Sequence, residues 1–115
     1  MGGLAVEMIP SGRCLVARIS GELDHESSPW FRAGFKELIA RGGRFVVLDL
    51  AGVSFCDSAG LDVLLGARRQ ADAIGAVLVL ARVPEPLRRL LALTGTDQVL
   101  TVFATVTDAE AVFNG

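Results

Sequence analysis

Two short, almost purely apolar runs on either side of an amphipathic stretch limit the folds that this chain can adopt. Residues 45–50 read FVVLDL and residues 76–81 read AVLVLA, a composition typical of central strands that are covered on at least one face. Between them, residues 61–71 carry apolar side chains at helical spacing. A strand, a helix and a second strand in this order predict a parallel β-α-β unit with a right-handed crossover.

The remaining residues continue the alternation of strands and helices. Leu4–Ile9 and Cys14–Ile19 flank a Pro-Ser-Gly turn signal and predict a hairpin. The other predicted elements follow in chain order: a helix that starts at Ser28-Pro29, carries Phe31, Phe35, Leu38 and Ile39 on one face and stops at Gly42-Gly43, a helix between Pro84 and Thr94-Gly95-Thr96, a strand at Val99–Phe103 and a helix at Thr107–Phe113. The order ββαβαβαβα predicts one α/β domain over residues 1–115, with a mixed sheet and helices packed mainly on one face.

The composition favours a folded protein and argues against several functions. Of the 115 residues, 51% are hydrophobic, which is enough for a sizeable core. The net charge is -2 and basic residues form no cluster larger than a pair, so we expect no direct binding of nucleic acid. No apolar stretch approaches the roughly 20 residues of a membrane span, and the cysteines form no disulfide framework. We therefore predict a cytoplasmic protein without membrane insertion.

The single histidine leaves few routes to catalysis. A pairing of His25 with Cys56 or Ser58 is conceivable, because both loops could emerge at the same sheet edge. Against this pairing, the chain has no GxSxG elbow, no glycine-rich phosphate loop and no metal-ligand spacing. We predict that the protein is not an enzyme and holds no metal or cofactor. His25 is expected to be a solvated loop residue, Cys14 a core residue, and Cys56 a thiol without a redox role.

Polar residues interrupt the apolar pattern at Asp49 and again at Asp57-Ser58. Asp49 lies inside a predicted strand, where burial is costly without a partner; we predict a structural role in hydrogen bonding to the loop that follows. Asp57 and Ser58 are both preferred helix caps, and a helix N-terminus also stabilises phosphate. We expect the Ser58 hydroxyl to cap the helix until it is phosphorylated. A phosphate there adds about −1.5 to −2 charges beside Asp57 and Asp62, changing the surface more than the fold.

Three blocks that span nearly the whole chain in order resemble a STAS domain, and within that group an anti-sigma factor antagonist. The blocks are Gly21–Asp24, which leads into the first helix, Val47–Leu61, which contains Asp-Ser-Ala-Gly-Leu, and the leucine-rich Val83–Gly95. The Val47–Leu61 block matches the family's strand, loop and phosphorylatable serine, and its Asp-Ser-x-Gly-Leu core is specific in that setting. The resemblance therefore implies a single STAS-like domain with a regulatory function.

The resemblance also implies a mechanism of partner exchange. The unphosphorylated protein would bind an anti-sigma factor, a serine kinase of the histidine-kinase-like ATPase fold, and so release the sigma factor. The kinase would phosphorylate Ser58 from its own ATP and end the complex, and a serine phosphatase would reset the protein. Carried over to this chain, Ser58 is the acceptor, and Asp24, Asp57, Ser58 and Gly60 form the partner-binding site.

One departure from the family pattern and one alternative function stand beside this interpretation. Asp62 occupies a position where the family often has glycine, so its charge would tune kinase recognition or tolerance of the phosphate. The alternative is a STAS-domain subunit of another complex, such as a lipid-transport ATPase or a stress-signalling scaffold. The exposed first strand offers an edge for pairing, so we predict a monomer or a weak dimer.

Overall fold

The computed structural model describes residues 3–40 and 44–114, and for residues 38–40 it describes the backbone alone. The predicted helix stop at Gly42-Gly43 and the side chains of Leu38 and Ile39 therefore lie outside the described residues. Five strands and four helices alternate in the predicted order: β1 (Leu4–Ser11), β2 (Cys14–Leu23), α1 (Ser28–Ala40), β3 (Phe45–Cys56), α2 (Ser58–Ala73), β4 (Val77–Ala81), α3 (Glu85–Thr94), β5 (Val102–Phe103) and α4 (Val106–Asn114).

The strands form one mixed sheet with helices on both faces. Their spatial order is β1-β2-β3-β4-β5; β1 is antiparallel to β2, and the other neighbours are parallel. Helices α1, α2 and α3 bury their apolar side chains in the larger core on one face. On the other face, α4 covers Val16, Val47 and Val79 with Ala109 in a smaller core. The predicted α/β fold with helices mainly on one face is confirmed.

The two central strands extend further than their apolar runs predict. β2 continues past Ile19 and β3 continues past Leu50, because Ser20 pairs with Gly52 and Leu23 pairs with Cys56 after small shifts of register. This extension carries both strands to the same sheet edge, where the loop before α1 and the start of α2 lie side by side. The predicted strand at Val99–Phe103 is shorter, since a 3₁₀ turn at Thr96–Gln98 precedes β5.

Asp49 is held inside the sheet by two arginines. Its side chain is 1% exposed and lies on the face that α4 packs against. The carboxylate accepts a hydrogen bond from the N–H of Ala51 at 3.2 Å and forms ion pairs with the Nε atoms of Arg82 at 3.4 Å and Arg18 at 3.7 Å. The predicted structural role is confirmed, but the predicted partner is wrong: Ala51 belongs to β3, because the strand does not end at Leu50.

Helix ends follow local chemistry. α3 begins after Pro84 without a side-chain cap, and Pro86 in its first turn lacks one of the N–H groups that a cap would satisfy. Gly95 ends the same helix at φ 73°, a left-handed conformation that glycine adopts without steric cost.

Of the helices in the described residues, none is long and apolar enough to span a membrane.

Candidate functional site

The ends of β2 and β3 open onto a cleft of about 660 Å³ between the loop before α1 and the start of α2. Two of the predicted partner-binding residues, Asp24 and Asp57, line this cleft. Ser58 follows Asp57 directly as the first residue of α2, and its side chain is exposed. The structure therefore brings Asp24, Asp57 and Ser58 to one end of the sheet.

The loop before α1 is fixed by its own side chains. One Asp24 carboxylate oxygen accepts hydrogen bonds from the N–H groups of Glu26 and Ser27, each at 3.0 Å. The Ser27 hydroxyl in turn donates to the carbonyl of Glu22 at 2.8 Å and accepts from the N–H of Asp24 at 3.0 Å. Asp24 thus organises the loop with one of its two carboxylate oxygens.

Asp57 caps α2, and Ser58 does not. The Asp57 carboxylate accepts a hydrogen bond from the N–H of Gly60 at 3.0 Å, which satisfies one of the free donors at the helix start. The expectation that the Ser58 hydroxyl caps the helix is therefore wrong. Ser58 instead lies one residue inside the helix, where the helix dipole acts on its side chain but the hydroxyl is not needed to begin the helix.

Gly60 is buried and permits the close approach of the two loops. A methyl group at this position would overlap with the carbonyl oxygen of Leu23 and lie 2.9 Å from the Sγ atom of Cys56. The first turn of α2 therefore packs directly on the end of β2. This burial places Gly60 beneath the surface on which Ser58 is displayed, so it positions the site rather than facing outward.

Cys56 is an unreactive thiol beside the site. Its Sγ donates to the carbonyl of Asp57 at 3.6 Å. Burial, and to a smaller extent the Asp57 carboxylate, raises the pKa of the Cys56 thiol to about 12. Because the thiolate is the reactive form, the thiol is not prepared for nucleophilic attack at neutral pH.

His25 lines the same cleft as Asp57, so the two loops do emerge at one sheet edge. The residue is exposed, in agreement with the solvated loop residue that the sequence predicts. Within residues 3–40 and 44–114, no group of three or more His, Cys, Asp or Glu side chains is arranged to hold a metal ion.

The cleft is acidic and flanked by aromatic side chains. Its carboxylates belong to Glu22, Asp24, Glu26 and Asp57, and among the described residues no lysine or arginine lines it. Trp30 and Phe55 also line it and are 54% and 50% exposed. The sequence interpretation missed both aromatics. Trp30 lies off the stripe formed by Phe31 and Phe35, and a large apolar residue outside the core stripe of a helix is the signal that could have identified it.

Comparisons with known proteins agree on one family. The model of the STAS domain family matches residues 5–109. An anti-sigma F factor antagonist from Paenibacillus polymyxa is 34% identical over 101 residues, which cover 87% of this chain and 86% of the relative. Sequence and family model therefore both support the resemblance found in the sequence.

Solved structures give the same result for the fold. The unphosphorylated form of the anti-sigma factor antagonist SpoIIAA superposes with a TM-score of 0.79 at 26% identity, covering 96% of this chain and 97% of that one. The phosphorylated form of SpoIIAA from Bacillus gives a TM-score of 0.70 at 23% identity over 94% and 99% of the two chains. An anti-sigma factor antagonist from Mycobacterium paratuberculosis gives 0.84 at 24% identity over 95% and 92%. The chain therefore belongs to the STAS domain family.

Proposed function

We propose that this protein is an anti-sigma factor antagonist whose binding is switched off by phosphorylation of Ser58. In this proposal the unphosphorylated protein binds a serine-kinase anti-sigma factor and thereby releases the sigma factor. The names of the relatives support the class, and they describe regulatory binding proteins rather than enzymes. The observation that carries the proposal is the exposed Ser58 at the start of α2, in a helix that Asp57 already caps.

The phosphorylation step is a transfer between the partner's ATP and this chain. The Ser58 oxygen forms a bond to the γ-phosphorus as the bond to the ADP oxygen breaks, and the hydroxyl proton leaves to a base of the kinase. A serine phosphatase reverses the state by hydrolysis, which returns the hydroxyl and releases inorganic phosphate. The exposure of the Ser58 side chain gives both enzymes access to the oxygen.

Charge is the physical basis of the switch. A phosphate on Ser58 adds about −1.5 to −2 charges at neutral pH. It would stand one helical turn from Asp62 and next to Asp57, which lines the cleft together with three other carboxylates. The helix N-terminus offsets only about 0.3–1 kcal/mol of this repulsion at an exposed site. The phosphate therefore acts mainly on binding, because the partner's surface would face more negative charge.

Rigid surroundings confine the effect to the surface. The hydrogen bonds around Asp24 and Ser27 fix one loop, the Asp57 cap fixes the other, and the close packing at Gly60 joins them. None of these contacts uses the Ser58 hydroxyl. In the proposed site Asp24 and Asp57 contact the partner, while Gly60 acts through the position of the α2 start.

The proposal is tested by phosphorylation and by affinity. Purified kinase-type anti-sigma factors of the source genome are incubated with the protein and ATP, and the phosphate is located by mass spectrometry. We expect modification of Ser58 in the wild type and none in Ser58→Ala. Phosphate confined to another residue would overturn the assignment.

The affinity arm uses Ser58→Asp with Ser58→Ala as its matched control. By calorimetry, Ser58→Ala should bind the anti-sigma factor as the wild type does, because it adds no charge. Ser58→Asp should bind about tenfold or more weakly, since it places a like charge in the interface. Equal affinity of the two variants would contradict the charge switch, and binding by neither would direct the search to another complex.

A further inference from the structure

We propose that the groove between β1 and α1 receives an apolar side chain of the same anti-sigma factor, with Trp30 as the main contact. This β1–α1 groove is lined by apolar residues and glycine, with one carboxylate, that of Glu37, among them: Val6, Met8, Trp30, Phe31, Gly34, Phe35 and Glu37. The inference rests on the proposed function, because it extends the partner's footprint from the Ser58 loop to a second surface.

The groove has the size and lining of a site for one side chain. Its volume is about 210 Å³, somewhat more than the roughly 150 Å³ cavity that accommodates benzene in a protein core. Phe31 and Phe35 are buried, and their stacked rings lie 5.8 Å apart. Gly34 leaves the hollow open, since a Cβ atom there would meet no atom of the described side chains within 4 Å.

The β1–α1 groove adjoins the acidic cleft at Trp30. Trp30 lines both cavities, so a partner seated over Asp24 and Asp57 lies beside the groove entrance. The exposed apolar residues on either side are Met8 in the groove, 40% exposed, and Phe55 in the cleft, 50% exposed. Large exposed side chains next to a polar rim are typical of the anchors of protein interfaces, and tryptophan is enriched among them.

Charge favours a different protein over a second copy of this chain. A symmetric dimer through the groove would bring two acidic clefts, each lined by four carboxylates, toward one another. Like charges across an interface lower affinity. A partner that presents basic residues to the cleft and an apolar side chain to the groove satisfies both surfaces.

The first test compares three variants by calorimetric titration with the anti-sigma factor that binds the wild type. Trp30→Ala removes the anchor, and Gly34→Leu fills the hollow where the structure has space. Leu93→Ala is the matched control, because Leu93 is 85% exposed on α3, outside both cavities. We expect Trp30→Ala and Gly34→Leu to raise the dissociation constant about tenfold or more, and Leu93→Ala to leave it at the wild-type value. Circular dichroism and urea unfolding verify that each variant is folded.

The second test uses the chain's single tryptophan. The protein is labelled with 5-fluorotryptophan, so that its fluorine NMR spectrum contains the resonance of Trp30 alone. Adding the unlabelled anti-sigma factor should shift this resonance saturably, with the dissociation constant found by calorimetry. This readout does not depend on whether a variant folds.

The outcomes separate this inference from the proposed function. If Ser58→Asp weakens binding while Trp30→Ala and Gly34→Leu do not, and the fluorine resonance stays in place, the function stands and the groove inference is overturned. A resonance that shifts with the protein's own concentration, and not with the partner, would assign the groove to a second copy and overturn it too. If no anti-sigma factor binds the wild type, both proposals fail.

Discussion

Asp49 and Asp57 belong to the same stretch of chain, one within β3 and the other directly after it, yet their carboxylates have opposite surroundings. Asp49 is buried and lies between the guanidinium groups of Arg18 and Arg82. Asp57 is half-buried at the sheet edge, where it caps α2 and adds to a cleft without lysine or arginine among the described residues. One carboxylate is paired with arginines inside the sheet, and the other lies at the sheet edge, where it accepts a hydrogen bond from the N–H of Gly60.

These different surroundings suggest different effects of substitution: on stability at Asp49, and on partner binding around Ser58. A buried carboxylate without a positive partner is costly, and Asp49 is paired with Arg18 and Arg82. Arg82 follows β4 directly and has a left-handed backbone conformation at φ 55°. Charges at an interface act mainly on the choice of partner and the rate of association. We therefore expect substitutions at Asp49 to change the free energy of unfolding, and substitutions around Ser58 to change affinity.

The largest effect on stability is expected for Asp49→Ala. It removes the hydrogen bond from Ala51 and both ion pairs, and a hydrogen bond to a charged group contributes roughly 1.5–3 kcal/mol. We expect the upper end, about 3 kcal/mol, because the two ion pairs are lost with the hydrogen bond, while both arginines remain accessible to water. Urea unfolding measures the change, and affinity for the anti-sigma factor should be unaltered. Asp49→Asn, which keeps an acceptor for Ala51, is the control; affinity that falls in this folded variant would break the separation.

Gly60→Ala is expected to have a smaller effect on stability, and to lower both the free energy of unfolding and the affinity for the anti-sigma factor. The added methyl group overlaps with the Leu23 carbonyl, and overpacking typically costs about 1–3 kcal/mol. Because the two loops must separate, affinity for the anti-sigma factor should also fall. Gly66→Ala is matched on the same helix, since its methyl group would meet Arg69 at an ordinary 3.7 Å and no other described residue. This control should gain about 0.5–1 kcal/mol, and a similar loss in both variants would contradict the role given to Gly60.

The smallest effect comes from comparing Asp57→Ala with Ser58→Ala. Loss of the Asp57 cap should lower the free energy of unfolding by about 1 kcal/mol. Ser58→Ala should change it by less than about 0.5 kcal/mol, as is usual for an exposed residue without a structural contact. Thermal or urea unfolding of the two proteins gives the answer. A larger loss in Ser58→Ala than in Asp57→Ala would return the capping role to the serine.

The sequence predicts elements better than their ends or contacts. Apolar runs and helical spacing are local properties, and they predict α3 and α4 to within about a residue. The reach of β3 to Cys56 depends on pairing with β2, and small residues such as Gly52 hide it from an apolar pattern. The choice between Asp57 and Ser58 as cap also lies beyond residue type, because both are preferred caps and only the path of the chain decides.

The candidate site shows the same limit. The motif identifies Ser58, Asp57 and Gly60 by position, but the sequence gives no indication that Gly60 faces Leu23 across the loops. The arginine partners of Asp49 come from two other strand regions, so no local pattern reveals them. Trp30 becomes conspicuous only when the cleft and the groove that it joins are both known.

The position of α4 in the chain has a consequence for synthesis. The valines at positions 16, 47 and 79 depend on residues 106–114 for their cover on the second face of the sheet. A chain emerging from the ribosome in order can pair β1 to β4 and pack α1 to α3 while this apolar surface is still bare. The nascent domain therefore passes through a stage in which one face of the sheet is covered by helices and the other exposes apolar side chains. This apolar face lies on the side of the sheet opposite to α2, the helix that begins with Ser58.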